Sequence, residues 1–341
     1  MFFSLNSIDW WPKFIIFGLV VVLSGCEDGA ARQFAFTGPT MGTSYSIKVI
    51  GAKVDAGDLQ QQVDERLAAL SMVFSTYIKD SEISRINSNL DKQLSISDNM
   101  AAVLGVSQQV HEFSGGAFDV TVGPLVNLWG FGPDGRVNGV PDDAAIELAT
   151  SQTGFNRLVI RNRQLQRPLS LYIDLSAVAK GYAVDEIAGL LEAAGAEHYM
   201  VEIGGEVKAR GKNSRGSDWI IGIEAPDRQV RRLYRTLPLV DLALATSGDY
   251  RNFFEHQGAI YSHTIDPRTG WPVSHSLGSV TVLHESAAMA DALATAFSVL
   301  GPDETMRLAE EENLMVLAII RQGDGYDERL SGALVRYLDS R

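Results

Sequence analysis

Three groups of residues in this chain have types and spacings that could do chemistry. His263 stands in Tyr261-Ser-His-Thr-Ile265, a strand-like stretch that runs into the turn Asp266-Pro-Arg-Thr-Gly270. An imidazole at such a rim titrates near neutrality and suits the removal of a proton from a hydroxyl. Asp291 and Thr295 lie four residues apart in an Ala-rich run, so both oxygen-bearing groups project from one helix face. A carboxylate among alanines is costly to bury without a positive partner. Bases are absent from its own run, and a bound cation is therefore the expected partner. Mg2+ suits such a place, because it takes few protein carboxylates and completes its shell with carbonyls, water and phosphate oxygens.

The third group is Asp174-Leu-Ser-Ala-Val-Ala-Lys180, where a strand end turns into a helix. Unpaired amides at a helix start, with Lys180 in the first turn, make an anion site. The run matches neither a phosphate-binding P-loop nor the dinucleotide GxGxxG pattern. An ordinary helix capped by Asp174 or Ser176, with Lys180 in solvent, is the competing reading. Thr40-Met-Gly-Thr43, Ser75-Thr-Tyr77 and Gly116-Ala-Phe-Asp119 add turn backbone and planar side chains. In Ser247-Gly-Asp-Tyr-Arg-Asn252, Arg251 either clamps a phosphate or sits on the surface. Each group alone is compatible with core packing or helix capping. Together they supply a base, a cation site, anion-binding amides and a stacking surface.

The elements that must position these groups follow from periodicity. Helical spacing covers residues 58–74, 97–113 (capped by Ser97 or Asp98), 141–150, 179–194 and 286–300. Residues 34–50 read as two strands around a Gly-rich turn, and 199–203 with 206–210 as a hairpin around Gly204-Gly205. Residues 158–160 are expected to pair with 171–174. Further strands are expected at 219–224, 237–247, 259–265 and 278–283. Strands that come in pairs between helices predict an α+β fold with antiparallel strands and flanking helices, in a single compact catalytic unit.

The 341 residues carry a net charge of −13, with 45% hydrophobic and 21% charged residues. That composition supports a sizeable core, and the acidity argues against nucleic acid as a partner. The single cysteine, Cys26, excludes an intrachain disulfide and a multi-cysteine metal site. It follows an apolar run from Phe14 to Leu23 that is short for a membrane span and right for a signal-peptide core. Leu23-Ser-Gly-Cys26 resembles a bacterial lipobox, whereas a buried free thiol is the alternative. The expected organisation is a lipoprotein signal at 1–25, a lipidated Cys26 opening a tether at 26–33, and a catalytic domain at 34–341.

Taken together, the motifs resemble the ApbE family, the FAD:protein FMN transferases. The resemblance runs from Gly38-Pro-Thr-Met-Gly-Thr43 to Ala287-Ala-Met-Ala-Asp-Ala-Leu-Ala-Thr295. Between these lie Asp174-Leu-Ser-Ala-Val-Ala-Lys-Gly-Tyr182, Glu202-Ile-Gly-Gly205, Thr246-Ser-Gly-Asp249 and His263-Thr-Ile-Asp-Pro-Arg-Thr-Gly270, in order. It implies Mg-dependent transfer of the FMN half of FAD to a Thr or Ser hydroxyl of a protein, with release of AMP. It places Met41, Tyr77, Ala117, Phe118, Asp119, Asp174, Lys180 and Ile265 on the flavin nucleotide. It assigns Mg2+ to Asp291, Thr295 and the carbonyls of Ala177 and Ala294, and the catalytic base to His263. Glu206 stands where the family usually carries Asp, which leaves its role open. The implied acceptors are subunits of membrane redox complexes, such as sodium-pumping or Rnf-type oxidoreductases. The enzyme would face them from a lipid anchor on the periplasmic side of the bacterial inner membrane. The residues themselves leave open a Mg-dependent FAD pyrophosphatase and a non-catalytic flavin-binding lipoprotein.

Overall fold

Alternating apolar and polar residues build the first hairpin, β1 (Gln33–Thr40) and β2 (Thr43–Ile50). Its two-residue turn, Met41-Gly42, takes φ values of 46° and 74°, the left-handed pair that matches strand twist. The computed structural model describes residues 33–51, 55–133, 135, 139–168 and 171–341. The expected signal segment, Cys26 and nearly all of the tether lie outside these residues.

Helix α1 (Ala56–Phe74) starts at Asp55, whose carboxylate accepts the amides of Gly57 and Asp58. It buries one stripe, Leu59, Val63, Leu67, Leu70 and Phe74. After α2 (Glu82–Ser88) and the short β3 (Gln93–Ser95), α3 (Asp98–Phe113) begins at the Ser97 cap. Two short helices follow, α4 (Gly123–Leu128) and α5 (Asp143–Ser151). Strands β4 (Val159–Arg161) and β5 (Gln164–Gln166) form a tight hairpin that joins β3.

That hairpin replaces the expected pairing of 158–160 with 171–174. Asn162 and Arg163 both adopt positive φ, at 51° and 58°, so the chain turns back at once. The Asn87 side chain meanwhile satisfies both the amide and the carbonyl of Ile173, at 2.9 Å each. The Asp174 amide goes to the Val120 carbonyl. With those groups bonded, the segment has no need of a ladder.

Helix α6 (Ala179–Ala193) leads into β6 (His198–Ile203) and β7 (Glu206–Arg210), then β8 (Trp219–Glu224), β9 (Leu233–Leu239) and β10 (Leu242–Gly248). The expected single strand over 237–247 is broken. Asp241 takes φ 53° and accepts the Gly211 amide through its carboxylate, and the chain thereby moves from the β8–β9 ribbon to the main sheet. Next come the hairpin β11 (Phe253–His256) and β12 (Ala259–Ser262), then β13 (Leu277–His284). Helices α7 (Ala287–Leu300) and α8 (Pro302–Glu311), β14 (Met315–Gln322), β15 (Gly325–Leu330) and α9 (Gly332–Asp339) complete the chain.

One antiparallel sheet of eight strands, in the order β1-β2-β6-β7-β10-β13-β14-β15, organises the molecule. Side chains alternate across it, as a pleat requires. On β14, Val316 and Ala318 join the core shared with the helices, whereas Leu317 and Ile319 join the core beneath β8–β9 and α9. The first core packs α1, α3, α6 and α7 on one face of the sheet. Helix α7 is buried nearly all round, which its alanines permit by allowing close approach. A third, smaller cluster joins Leu125 and Trp129 to Ile146, Ala149 and Ile265. The architecture is α+β, as expected, and among the described residues no helix is long and apolar enough to cross a membrane.

Candidate active site

The site is built on the contact between α6 and α7. Asp291 is buried on α7, and its Oδ2 accepts the Gly181 amide of α6 at 3.0 Å. Its Oδ1 lies 3.9 Å from Lys180 Nζ. The acid's own helix offers no base, as the sequence shows, but a neighbouring helix brings Lys180 to it, so a cation is not its sole positive partner. The two helices are locked further along by Asp185. Its Oδ2 accepts the Ser286 hydroxyl at 2.7 Å and the Ala288 amide at 3.0 Å, and Lys208 Nζ donates to its Oδ1 at 2.7 Å. An α6 carboxylate thus caps the start of α7, where the helix dipole favours negative charge.

Lys180 also donates to Glu206 Oε1 at 2.5 Å. Burial works against its charge, but Asp291 and Glu206 outweigh that effect and hold its pKa above the ordinary lysine value. Glu206 is buried at the start of β7, and among the described residues its Oε2 has no hydrogen-bond partner. Burial, countered by Lys180 and reinforced by the Asp291 charge, pushes its carboxyl up to about 7. One ammonium therefore lies among two carboxylates. The preceding turn leaves room for little else: a Cβ on Gly204 (φ 63°) would come within 3.3 Å of Lys180 Cδ.

His263 lies one residue beyond the end of β12 rather than inside a strand. Both its amide and its ring Nδ1 bond the Asn252 carbonyl, each at 3.0 Å. A carbonyl only accepts, so Nδ1 carries the proton and Nε2 is the basic nitrogen. Burial pushes the imidazole below its ordinary pKa, partly offset by the Asn252 bond and the Asp249 charge. Phe131 presents its ring edge-to-face to the imidazole, with centroids 6.3 Å apart.

These groups open onto one cavity of about 540 Å³. Tyr77, Ala117, Phe118, Asp119, Asp174, Ala177, Lys180, His263, Ile265, Asp291 and Thr295, all singled out in the sequence, line it. Met41, on the first hairpin turn, and Ala294, fully buried on α7, do not. Tyr77 is 74% exposed and forms part of the rim. Asp119 is fixed by the Thr121 amide and hydroxyl and by the Phe155 amide, at 2.6–2.9 Å. Asp174 accepts the Ser176 amide at 2.9 Å, yet the residue that opens α6, Val178, makes no side-chain cap. The competing reading of Asp174 or Ser176 as helix cap therefore fails. Arg251 lines the cavity and ion-pairs with Glu224.

The lining also includes Ser247 and Asn252, to which the sequence reading gave no role. Ser247 Oγ lies 3.3 Å from Thr295 Oγ1. The signal for that segment was the Thr246-Ser-Gly-Asp249 motif itself. Among the described residues, no group of three or more His, Cys, Asp or Glu side chains could hold a metal. The carboxylate of Asp291 and the hydroxyl of Thr295 are hard oxygen donors in the same cavity. A set this small fits Mg2+, which relies on water and substrate oxygens for the rest of its shell. It does not fit zinc, which takes three or four His, Cys or carboxylate ligands.

A profile of the ApbE family matches residues 41–320. The FAD:protein FMN transferase of Vibrio cholerae is 42% identical over 323 residues, which cover 94% of this chain and 96% of that protein. That of Escherichia coli K12 is 37% identical over 321 residues, covering 91% of each. The solved flavin transferase ApbE from Vibrio cholerae superposes with a TM-score of 0.84 at 41% identity, covering 90% of this chain and 99% of that one. The apo flavinyl transferase ApbE from Pseudomonas stutzeri gives 0.83 at 38% identity, covering 90% and 97%. With a profile that spans most of the folded residues and relatives matched end to end, the chain belongs to the ApbE family.

Proposed function

We propose that the protein is an FAD:protein FMN transferase that moves the FMN half of FAD onto a Thr or Ser hydroxyl of an acceptor protein and releases AMP. The observation that carries this reading is the convergence of His263, Lys180, Asp291 and Thr295 on one cavity of about 540 Å³, a size that suits a nucleotide ligand. The names of the relatives support the flavin and the protein acceptor.

The acceptor hydroxyl attacks the FMN-side phosphorus of the anhydride, and its proton passes to Nε2 of His263. The bridging P–O bond breaks, and AMP departs with the bridging oxygen. Because burial holds His263 below its ordinary pKa, the ring is neutral and ready as a base at pH 7. Lys180 keeps its charge between two carboxylates and offsets the negative charge of the diphosphate. Tyr77, exposed at the rim, offers aromatic surface to the flavin. Asp291 and Thr295, helped by backbone carbonyls at Ala177 and Ala294, are the residues that would hold Mg2+. Bound there, the ion supplies neutralisation of the diphosphate charge.

Lipidation at Cys26, in the same reading, tethers the enzyme to the periplasmic face of the inner membrane, beside redox-complex subunits. A tether of that kind raises the effective concentration of membrane-bound acceptors. The test is incubation with FAD, Mg2+ and a candidate acceptor, followed by mass spectrometry. Covalent FMN on Thr or Ser together with free AMP supports transfer. Free FMN with AMP would instead mean hydrolysis, and intact FAD mere binding. Cys26→Ser should release the protein from the membrane fraction.

A further inference from the structure

The hairpin that leads to His263 is not part of the main sheet; among the described residues β11 and β12 pair only with each other. Its open end is the register pair Phe253↔Ser262, and Asn252 and His263 are the next residues outward. Asn252 thus stands between the hairpin and the end of β10, three residues after Asp249. That short stretch is anchored by charge. Asp249 is 6% exposed, and its carboxylate accepts both terminal nitrogens of Arg321 on β14, with Nη1 at 2.8 Å. Arg228, in the loop between β8 and β9, donates to Asp249 Oδ2 at 3.1 Å. The same guanidinium lies over the Phe253 ring, 5.4 Å from its centroid. Arg228 therefore grips the stretch on both sides of Asn252.

A bidentate arginine on a buried carboxylate is a stiff joint, and removing one partner leaves the other uncompensated. Downstream of that joint, a single carbonyl receives both the amide and the ring Nδ1 of His263. We propose that Asp249, clamped by Arg321 and Arg228, is a positioning residue that sets the tautomer of His263 by holding the Asn252 carbonyl against Nδ1. The consequence for chemistry rests on the reading of His263 as the base: only the Nδ1–H tautomer leaves Nε2 free to accept a proton. The charged groups that act on the ring are Asp249, which favours its protonation, and Lys180, which opposes it. The arrangement orients the imidazole as a buried acid orients a catalytic histidine elsewhere, but through one backbone carbonyl instead of by direct contact.

The test is 15N NMR of the histidine rings in the full chain, at a pH where His263 is neutral, in wild type, Asp249→Asn, Arg321→Gln and Arg321→Lys. Wild type should show His263 almost wholly as the Nδ1–H tautomer. Asp249→Asn and Arg321→Gln should bring in the Nε2–H form, and FMN transfer should fall about tenfold to a hundredfold, within the range general-base catalysis contributes. FAD affinity should change little. Arg321→Lys, which restores one charged bond, should recover part of the tautomer population. A wild-type ring protonated at Nε2, or an unaltered Nδ1–H tautomer in folded Asp249→Asn and Arg321→Gln, would overturn the proposal. Should a variant fail to fold, the wild-type tautomer and the Arg321→Lys spectrum decide alone. A tautomer shift with full transfer activity would support the positioning role and reject His263 as the base.

Discussion

Gly181 and Asp291 meet face to face across the α6–α7 contact: the glycine amide donates to the carboxylate at 3.0 Å, with no room for a side chain between them. A Cβ at Gly181 would lie 2.2 Å from the Ala287 carbonyl oxygen and 2.7 Å from Asp291 Cβ. The glycine brings the helices close enough for Lys180, its neighbour in sequence, to reach Asp291.

Gly181→Ala should therefore push the helices apart. Overpacking of this kind costs about 1–3 kcal/mol, and the obstructing atoms are backbone and Cβ, which yield least. A lower melting temperature accompanied by weakened Mg2+-dependent activity is expected. Unaltered stability and activity would show that the contact is slack.

His263→Ala should slow FMN transfer by roughly 10²–10⁴-fold, the usual contribution of a positioned base. FAD binding, followed by flavin fluorescence, should stay close to wild type. Transfer at the wild-type rate would remove His263 from the mechanism.

Asp291→Ala removes the only carboxylate that stands beside Thr295 on α7. Activity should fall about 10²–10³-fold, on the scale of a lost electrostatic stabiliser, and what remains should no longer respond to Mg2+ titration. An unchanged Mg2+ requirement would reject Asp291 as the metal ligand. Stability is read in the same samples, since Lys180 then keeps Glu206 but loses Asp291 as a partner.

The pH dependence has a definite sign. Burial depresses the pKa of His263, His275 and His284 below the ordinary value, whereas the unfolded chain titrates near 6.5. Below that value the unfolded state binds more protons, so these histidines contribute stability that is complete above about pH 6.5 and lost as the pH falls through their folded pKa values. Melting temperatures should decline on the acid side of pH 6.5, with a shallower slope in His275→Gln. The transfer rate should have an acid limb in the same region, set by His263. An acid limb that persists unchanged in the residual activity of His263→Ala would contradict that assignment.

Much of the scaffold could be read from local pattern. The cap at Ser97, the stripe of α1 and the Gly204-Gly205 turn all act within a few residues, and the structure follows them. Where the reading failed, a distant group intervened. Asn87 bonded Ile173 out of its expected strand, and Asp241 adopted a left-handed conformation that split one strand into two. Beyond Leu300 the amphipathic α8, β14, β15 and α9 had no chemistry-bearing residue to draw notice, although Arg321 proved to anchor the Asp249 segment.

The candidate site divides along the same line. Residue type and spacing identified His263, Asp291, Thr295 and Lys180, because a base, a carboxylate with its i+4 hydroxyl, and a first-turn lysine are local facts of sequence. Their relations were decided by packing. Lys180 came to Asp291 because Gly181 lets α6 close on α7, Glu206 took the other side of that lysine from the turn of a hairpin, and Asn252 chose which nitrogen of His263 is basic. Electrostatic partners act over a few ångströms in space regardless of separation along the chain, and only the folded chain supplies those distances.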